Sequence, residues 1–132
     1  MCLRAGPRFP RLFTHCFNSM VKRSRNLSTL LWAVQQIAEA AGMGIMRYYR
    51  EPMRVLRKTD MSPLTQADLL AHSIIQQNLI NISPHVPIIS EEAQFPPYSE
   101  RRKWGLYWLI DPLDGTKEFI KKSKDFTVNI AL

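Results

Sequence analysis

Cysteine is scarce in this chain. The two present, Cys2 and Cys16, both lie in its first sixteen residues. A pair so placed cannot build a disulfide scaffold and fits a reducing compartment. No apolar run reaches the roughly 20 residues that a membrane-spanning helix needs. There is no internal repeat and no low-complexity tract. Acid is missing from the opening stretch: six of the 18 basic residues, and none of the 11 acidic ones, precede Glu39. The formal net charge of +7 therefore belongs mainly to that stretch, and it does not argue for nucleic acid as a partner of the folded part.

What remains is globular in character. A chain of 132 residues suits one domain. At this size folding buries roughly two-thirds of the unfolded surface. A composition of 45% hydrophobic and 22% charged residues excludes disorder of the whole chain. Residues 1–27, with Gly6, Pro7, Pro10 and scattered arginines, show no lasting period. They read as a basic, disordered leader, or as upstream sequence ahead of a start at Met20. Two other readings stay open: a transit peptide, which implies a mitochondrial location, or a basic arm giving peripheral contact with acidic lipid headgroups. Otherwise the expected location is cytoplasmic.

The globular part is expected over residues 28–132. Leu30, Val34, Ile37, Ala41, Ile45 and Tyr48 recur at steps of three and four and predict a helix. Asn26 or Ser28 could cap it, Gly42 and Gly44 could admit a close neighbour, and Pro52 would stop it. A second helix is predicted from Thr65, with Thr65 and Asp68 as a capping box and Ala71, Ile75, Leu79 and Ile82 on one face. Val86–Ile89, Leu106–Ile110 and Phe126–Leu132 read as strands, residues 93–103 as a loop, and Thr116–Lys122 as a short helix.

Chemistry concentrates in Asp111-Pro112-Leu113-Asp114-Gly115-Thr116. Asp111 ends an apolar strand, and Pro112 is expected to end pairing and force a turn. Residues three apart across that turn can point the same way, so Asp111 and Asp114 can converge, with the Leu113 carbonyl facing the same space. Gly115 and Thr116 would open a helix whose free N–H groups favour phosphate. Hard oxygen donors beside a phosphate cradle read as a magnesium site. Asp-Pro and Asp-Gly are also ordinary turn pairs, so both readings stand at this point. Glu91 and Glu92 follow another apolar strand, where they are either a solvated pair or further carboxylates for the same pocket. Asp68 reads as a helix-capping acid more readily than as a catalyst. Trp104, Tyr107 and Trp108 read as strand residues more readily than as a base-stacking surface. His15, His72 and His85 have no metal-ligand spacing among them.

Three strings in order resemble the inositol monophosphatase superfamily, the lithium-sensitive, magnesium-dependent phosphatases. They are Lys58-Thr-Asp-Met-Ser-Pro-Leu-Thr-Gln-Ala-Asp68, Ile89-Ser-Glu-Glu92, and Trp108-Leu-Ile-Asp-Pro-Leu-Asp-Gly-Thr-Lys-Glu-Phe119. The Lys117-Glu118-Phe119 ending, with Thr127–Leu132, looks most like the CysQ branch, the bacterial 3'(2'),5'-bisphosphate nucleotidases involved in sulfate assimilation. The resemblance runs from about Ser28 to Leu132. It implies a layered α/β sugar-phosphatase fold, of which this chain would be the first part: two helices on an incomplete sheet, with the C-terminal part absent. It implies Mg2+ as cofactor, held by Glu91, Asp111, Asp114 and the carbonyl of Leu113. Asp68 and Thr116 match the pair that orients and deprotonates the attacking water. Glu91, Leu113, Asp114, Gly115 and Thr116 match the segment against the substrate, a small phosphate ester such as adenosine 3',5'-bisphosphate, hydrolysed to AMP and phosphate. Lys58 and Asp60 match nearby positions, and Glu92 a supporting one. An inositol monophosphatase-like activity and a non-catalytic remnant are the alternatives. Because the sequence stops within an apolar strand and the family continues, little or no activity is expected of the 132 residues alone.

Overall fold

A computed structural model of the chain describes residues 27–50, 55–58 and 63–132. The expectations for the leader, for Asn26 and Pro52, and for Asp60 lie outside the described residues. Helix α1 spans Leu27–Tyr49, followed by strands β1 (Val55–Arg57) and β2 (Pro63–Thr65) and helix α2 (Gln66–Ile82). Strand β3 (Ile88–Ser90), a single turn α3 (Tyr98–Arg101), strand β4 (Trp108–Asp114), short helix α4 (Thr116–Ile120) and strand β5 (Thr127–Ala131) complete the order.

The helix periods translate directly into packing. Ala33, Ile37, Ala41 and Ile45 form one buried stripe of α1, with Leu30, Val34 and Tyr48 half-buried beside it. It meets Ala67, Ala71, Ile74, Ile75, Leu79 and Ile82 of α2. At Gly44 the helices come close. A methyl there would sit 3.1 Å from the tip of Ile74 and 3.2 Å from that of Leu70. Gly42 has nothing within 4 Å, so the expected close approach holds at one glycine and not the other. Ser28 lies inside the first turn of α1 and is not its cap, because the helix already begins at Leu27. The Thr65–Asp68 capping box of α2 is present as predicted.

A three-stranded mixed sheet runs in the order β3-β4-β5, parallel then antiparallel. Trp108, Ile110, Leu113, Val128 and Ile130 pack into the helical core. Leu109, of opposite alternation, is exposed. Each fully buried aliphatic side chain contributes about 1.5–3 kcal/mol. Trp108 is thus a core residue, its indole N–H donating to Ser83 Oγ at 2.8 Å, whereas Tyr107 is exposed, its ring 6.4 Å from that of Trp104. Residues 93–103 are not wholly loop. Pro97, with its fixed φ of −55°, precedes a helical turn in which Arg101 and Arg102 N–H groups return to Pro97 and Tyr98 carbonyls. The β1–β2 hairpin had no periodicity to announce it, being three residues on each side.

The predicted strand over 106–110 is shifted. It starts at Trp108 and continues through Pro112 to Asp114. Proline does not stop it because the pairing is irregular there. Asp111 pairs with Asn129 and Asp114 with Thr127, so Pro112 and Leu113 together oppose Val128. This is a β-bulge, a place where a residue lacking an N–H costs the ladder nothing.

Candidate active site

The bulge carries the first consequence for chemistry. In a regular strand, residues three apart face opposite sides. One extra residue restores the parity, so Asp111 and Asp114 lie opposite Asn129 and Thr127, which share a face of β5. The convergence expected from a turn is therefore produced by a bulged strand. Parallel pairing of β3 with β4 sets Ser90 against Ile110, and the Glu91 N–H donates to the Ile110 carbonyl at 3.2 Å. Glu91 and Asp111 thus leave the same end of the sheet.

The carboxylates sense one another. Burial is the largest influence on Asp111, and the charge of Glu91, a hydrogen bond with Glu91 and the charge of Asp114 act with it. The Leu113 N–H opposes them, and the Asp111 carboxyl is pushed up to about 7. Its Oδ1 is the one buried side-chain oxygen or nitrogen without a hydrogen-bond partner among the described residues. Glu91 also accepts from Lys58 Nζ at 2.8 Å, and Asp114 Oδ2 accepts from Asn129 Nδ2 at 3.0 Å. Among the described residues no three His, Cys, Asp or Glu side chains form a metal-binding group.

The donor set nevertheless suits a hard divalent cation. It offers converging carboxylates, one of them with an unsatisfied buried oxygen, and mutual repulsion that a cation relieves.

Lys58 bridges the two glutamates, reaching Glu92 Oε1 at 2.9 Å. Burial works to lower the Lys58 pKa, yet hydrogen bonds and charge from Glu91 and Glu92 outweigh it and the net shift is upward. Burial raises the Glu92 pKa despite Lys58, with the charges of Asp68 and Glu91 adding to the rise. Both shifts are upward because two acids share one lysine while Glu92 is the deeply covered member, its side chain 3% exposed against 51% for Glu91.

Asp68 is the helix-capping acid that the sequence allowed, and it also reaches Thr116. It is fully buried. Its Oδ2 accepts from the Thr65 N–H at 2.7 Å and from the Thr65 hydroxyl, closing the capping box. Its Oδ1 accepts from Thr116 Oγ1 at 3.0 Å. The same Thr116 hydroxyl lies 3.1 Å from the Leu113 carbonyl, so its single proton faces two acceptors. Gly115, at φ 88°, turns the chain from β4 into α4 and supplies no side-chain cap. The helical ladder of α4 opens with Phe119 N–H donating to Gly115 O, which leaves the N–H groups of Thr116, Lys117 and Glu118 outside it.

Glu91, Glu92, Asp111, Leu113, Asp114, Gly115 and Thr116 thus fall at the same end of the β3–β4 sheet, Asp68 on the capped start of α2, and Lys58 just after β1 with its Nζ on Glu91 and Glu92. Three further residues join them. Asn129 holds Asp114, and His72 Nδ1 lies 2.8 Å from Ser90 Oγ, which accepts from the Glu92 N–H at 3.2 Å. A polar residue between Val128 and Ile130 signalled only the open face of an alternating strand. His72 stands one helical turn beyond Asp68, and that spacing was its only signal.

This α/β layer gathers acids, a buried carboxylate and an uncapped helix start at its strand ends. The inositol monophosphatase family model matches residues 26–132, and the chain belongs to that family. It is 50% identical over 105 residues to the 3'(2'),5'-bisphosphate nucleotidase CysQ of Escherichia coli K12, covering 78% of this chain and 42% of that protein. The crystal structure of CysQ from Bacteroides thetaiotaomicron is similar at a TM-score of 0.66 and 41% identity, over 82% of this chain and 39% of that one. The suhB protein of Bartonella henselae matches at 0.66 and 28% identity, over 77% and 39%. The fold is thus inositol monophosphatase-like, and the chain spans about two-fifths of the length of these relatives.

Proposed function

We propose that this chain carries the metal and water-activating half of a magnesium-dependent 3'(2'),5'-bisphosphate nucleotidase, which hydrolyses adenosine 3',5'-bisphosphate to AMP and phosphate. The observation that carries the reading is Asp111, half-buried, with a buried unpartnered Oδ1 and a carboxyl raised to about 7 beside Glu91 and Asp114. Identity of 50% to a nucleotidase of that specificity supports the substrate class. Glu91, Asp111 and Asp114, with the Leu113 carbonyl, would hold Mg2+. When bound, the ion supplies a lowered pKa for water and stabilisation of the charge developing on phosphate oxygens.

The chain's own residues would do the rest. Thr116 donates to Asp68, which leaves its oxygen free to accept a proton from water, and Asp68 receives the relayed proton. The free N–H groups that begin at Thr116, after Gly115, favour the phosphate. No phosphoenzyme is needed.

The test is phosphate release from adenosine 3',5'-bisphosphate and from inositol monophosphate, with Mg2+ and with a chelator, alongside calorimetric titration of Mg2+. Magnesium binding together with preference for the bisphosphate supports the reading. Preference for inositol phosphate moves the protein to the other branch. Release that survives the chelator, or absence of both binding and release, overturns it.

A further inference from the structure

Asp68 and His72 lie one turn apart on α2, so their side chains share a face. Each grips a different loop. Asp68 reaches Thr116 after β4, and His72 reaches Ser90 at the end of β3. Ser90 is 2% exposed. Its oxygen accepts from the Glu92 N–H, so its own proton points elsewhere, and the Nδ1 of His72 is 2.8 Å away. A neutral imidazole protonated on Nε2 accepts that proton. The resulting chain, from Glu92 N–H to the Ser90 hydroxyl to His72, fixes the backbone on both sides of Glu91.

We infer that His72 is a positioning residue for Glu91: by holding the Ser90 hydroxyl it locks the Ser90–Glu92 turn and aims the Glu91 carboxylate at Asp111. Helix α2 then sets the spacing of the two carboxylate-bearing loops, one from each of two side chains a turn apart. The link to metal binding rests on the function proposed above, whereas the hold on the turn does not. Burial, which lowers the His72 pKa, favours the neutral ring that this arrangement needs.

The test uses the 132-residue chain and two variants. His72→Phe fills the volume without a polar atom. His72→Asn returns a polar atom near the place of Nδ1. Hydrogen exchange at the Glu92 amide should quicken about fivefold in His72→Phe, the expected effect of losing one hydrogen-bond partner in the chain. His72→Asn should restore it. The dissociation constant for Mn2+, used as the probe ion, should rise about tenfold in His72→Phe and recover in His72→Asn, as for residues that orient a metal ligand. Unchanged Glu92 exchange in His72→Phe, or equal loss in both variants, overturns the inference. If the amide responds as expected while the parent chain binds no Mn2+, the positioning stands and the metal-centre reading falls.

Discussion

Asp68 Oδ1 accepts a hydrogen bond from Thr116 Oγ1 at 3.0 Å, joining residues 48 apart in the chain. The same carboxylate closes the N-terminus of α2 through Thr65. One buried side chain therefore holds a helix start and the turn after β4 in fixed relation. Thr116→Val removes the donor and leaves a buried carboxylate oxygen unpaired, so it should cost about 1–3 kcal/mol in urea unfolding. Thr116→Ser keeps the hydroxyl and should lose well under half of that. If the serine variant is as unstable as the valine one, the hydroxyl bond is not what couples the two segments.

The Lys58–Glu92 contact is the most covered ion pair in the site, with side chains 16% and 3% exposed. Removing one member strands a buried charge. Lys58→Met should destabilise by about 3 kcal/mol near neutral pH. Glu92→Gln in the same background should return a large part of the loss, since it removes the stranded charge. A double-mutant cycle in denaturant measures this. Simple additivity of the two losses would show that the lysine serves Glu91 and leaves Glu92 indifferent.

Much of this was legible before the structure because it depends on local rules. The α1 and α2 faces follow from 3.6-residue periodicity, and the capping box from Thr65 and Asp68 three apart. Asp111 and Asp114 share a strand face, as their spacing allows, but through a bulge and not through the expected turn. Sequence offers Asp-Pro as a turn, whereas pairing with β5 makes it a bulge, and that pairing depends on residues 13–18 positions further on. Lys58 between two glutamates, Asn129 on Asp114 and His72 on Ser90 all cross between elements. No periodicity encodes such contacts. They emerge only when β4 pairs with both β3 and β5, α2 packs against β4, and the segment after β1 reaches the end of β3.

His72 makes folding sensitive to mild acid. Burial lowers its pKa from 6.5 in the folded chain, so the folded state binds the proton less readily than the unfolded one. The stability this protects is fully present above about 6.5 and is lost as pH falls from there through the folded value. Asp111, raised to about 7, acts in the opposite sense over the same range, so the parent's urea midpoint should fall between pH 7.5 and 5 relative to that of His72→Asn. A His72→Asn chain should lack the step while keeping a comparable midpoint at pH 7.5. A step that persists in His72→Asn assigns the acid sensitivity to another group.

Two glycines should respond to the same substitution with opposite sign. Gly42 lies in α1 with open space around the position a methyl would take. Alanine there restricts the unfolded chain and suits the helix, so Gly42→Ala should stabilise by about 0.5–1 kcal/mol. Gly115 sits at φ 88°, and an added Cβ would lie 2.7 Å from the Asp125 carbonyl oxygen and 3.2 Å from the Phe126 Cα. The nearest of these atoms are backbone, in the segment that places Phe126 edge-on against the fully buried Phe119, with ring centroids 5.2 Å apart. Neither that segment nor the left-handed conformation can give way cheaply. Gly115→Ala should therefore cost about 2 kcal/mol or more, from the left-handed penalty plus the clash. Its loss should also spread to the β4–α4 turn, loosening Thr116 from Asp68. Thermal melts of both variants, with hydrogen exchange at the Phe119 amide, check the pair. A Gly115→Ala chain that melts with the parent would show that the turn relaxes to another geometry and does not depend on glycine.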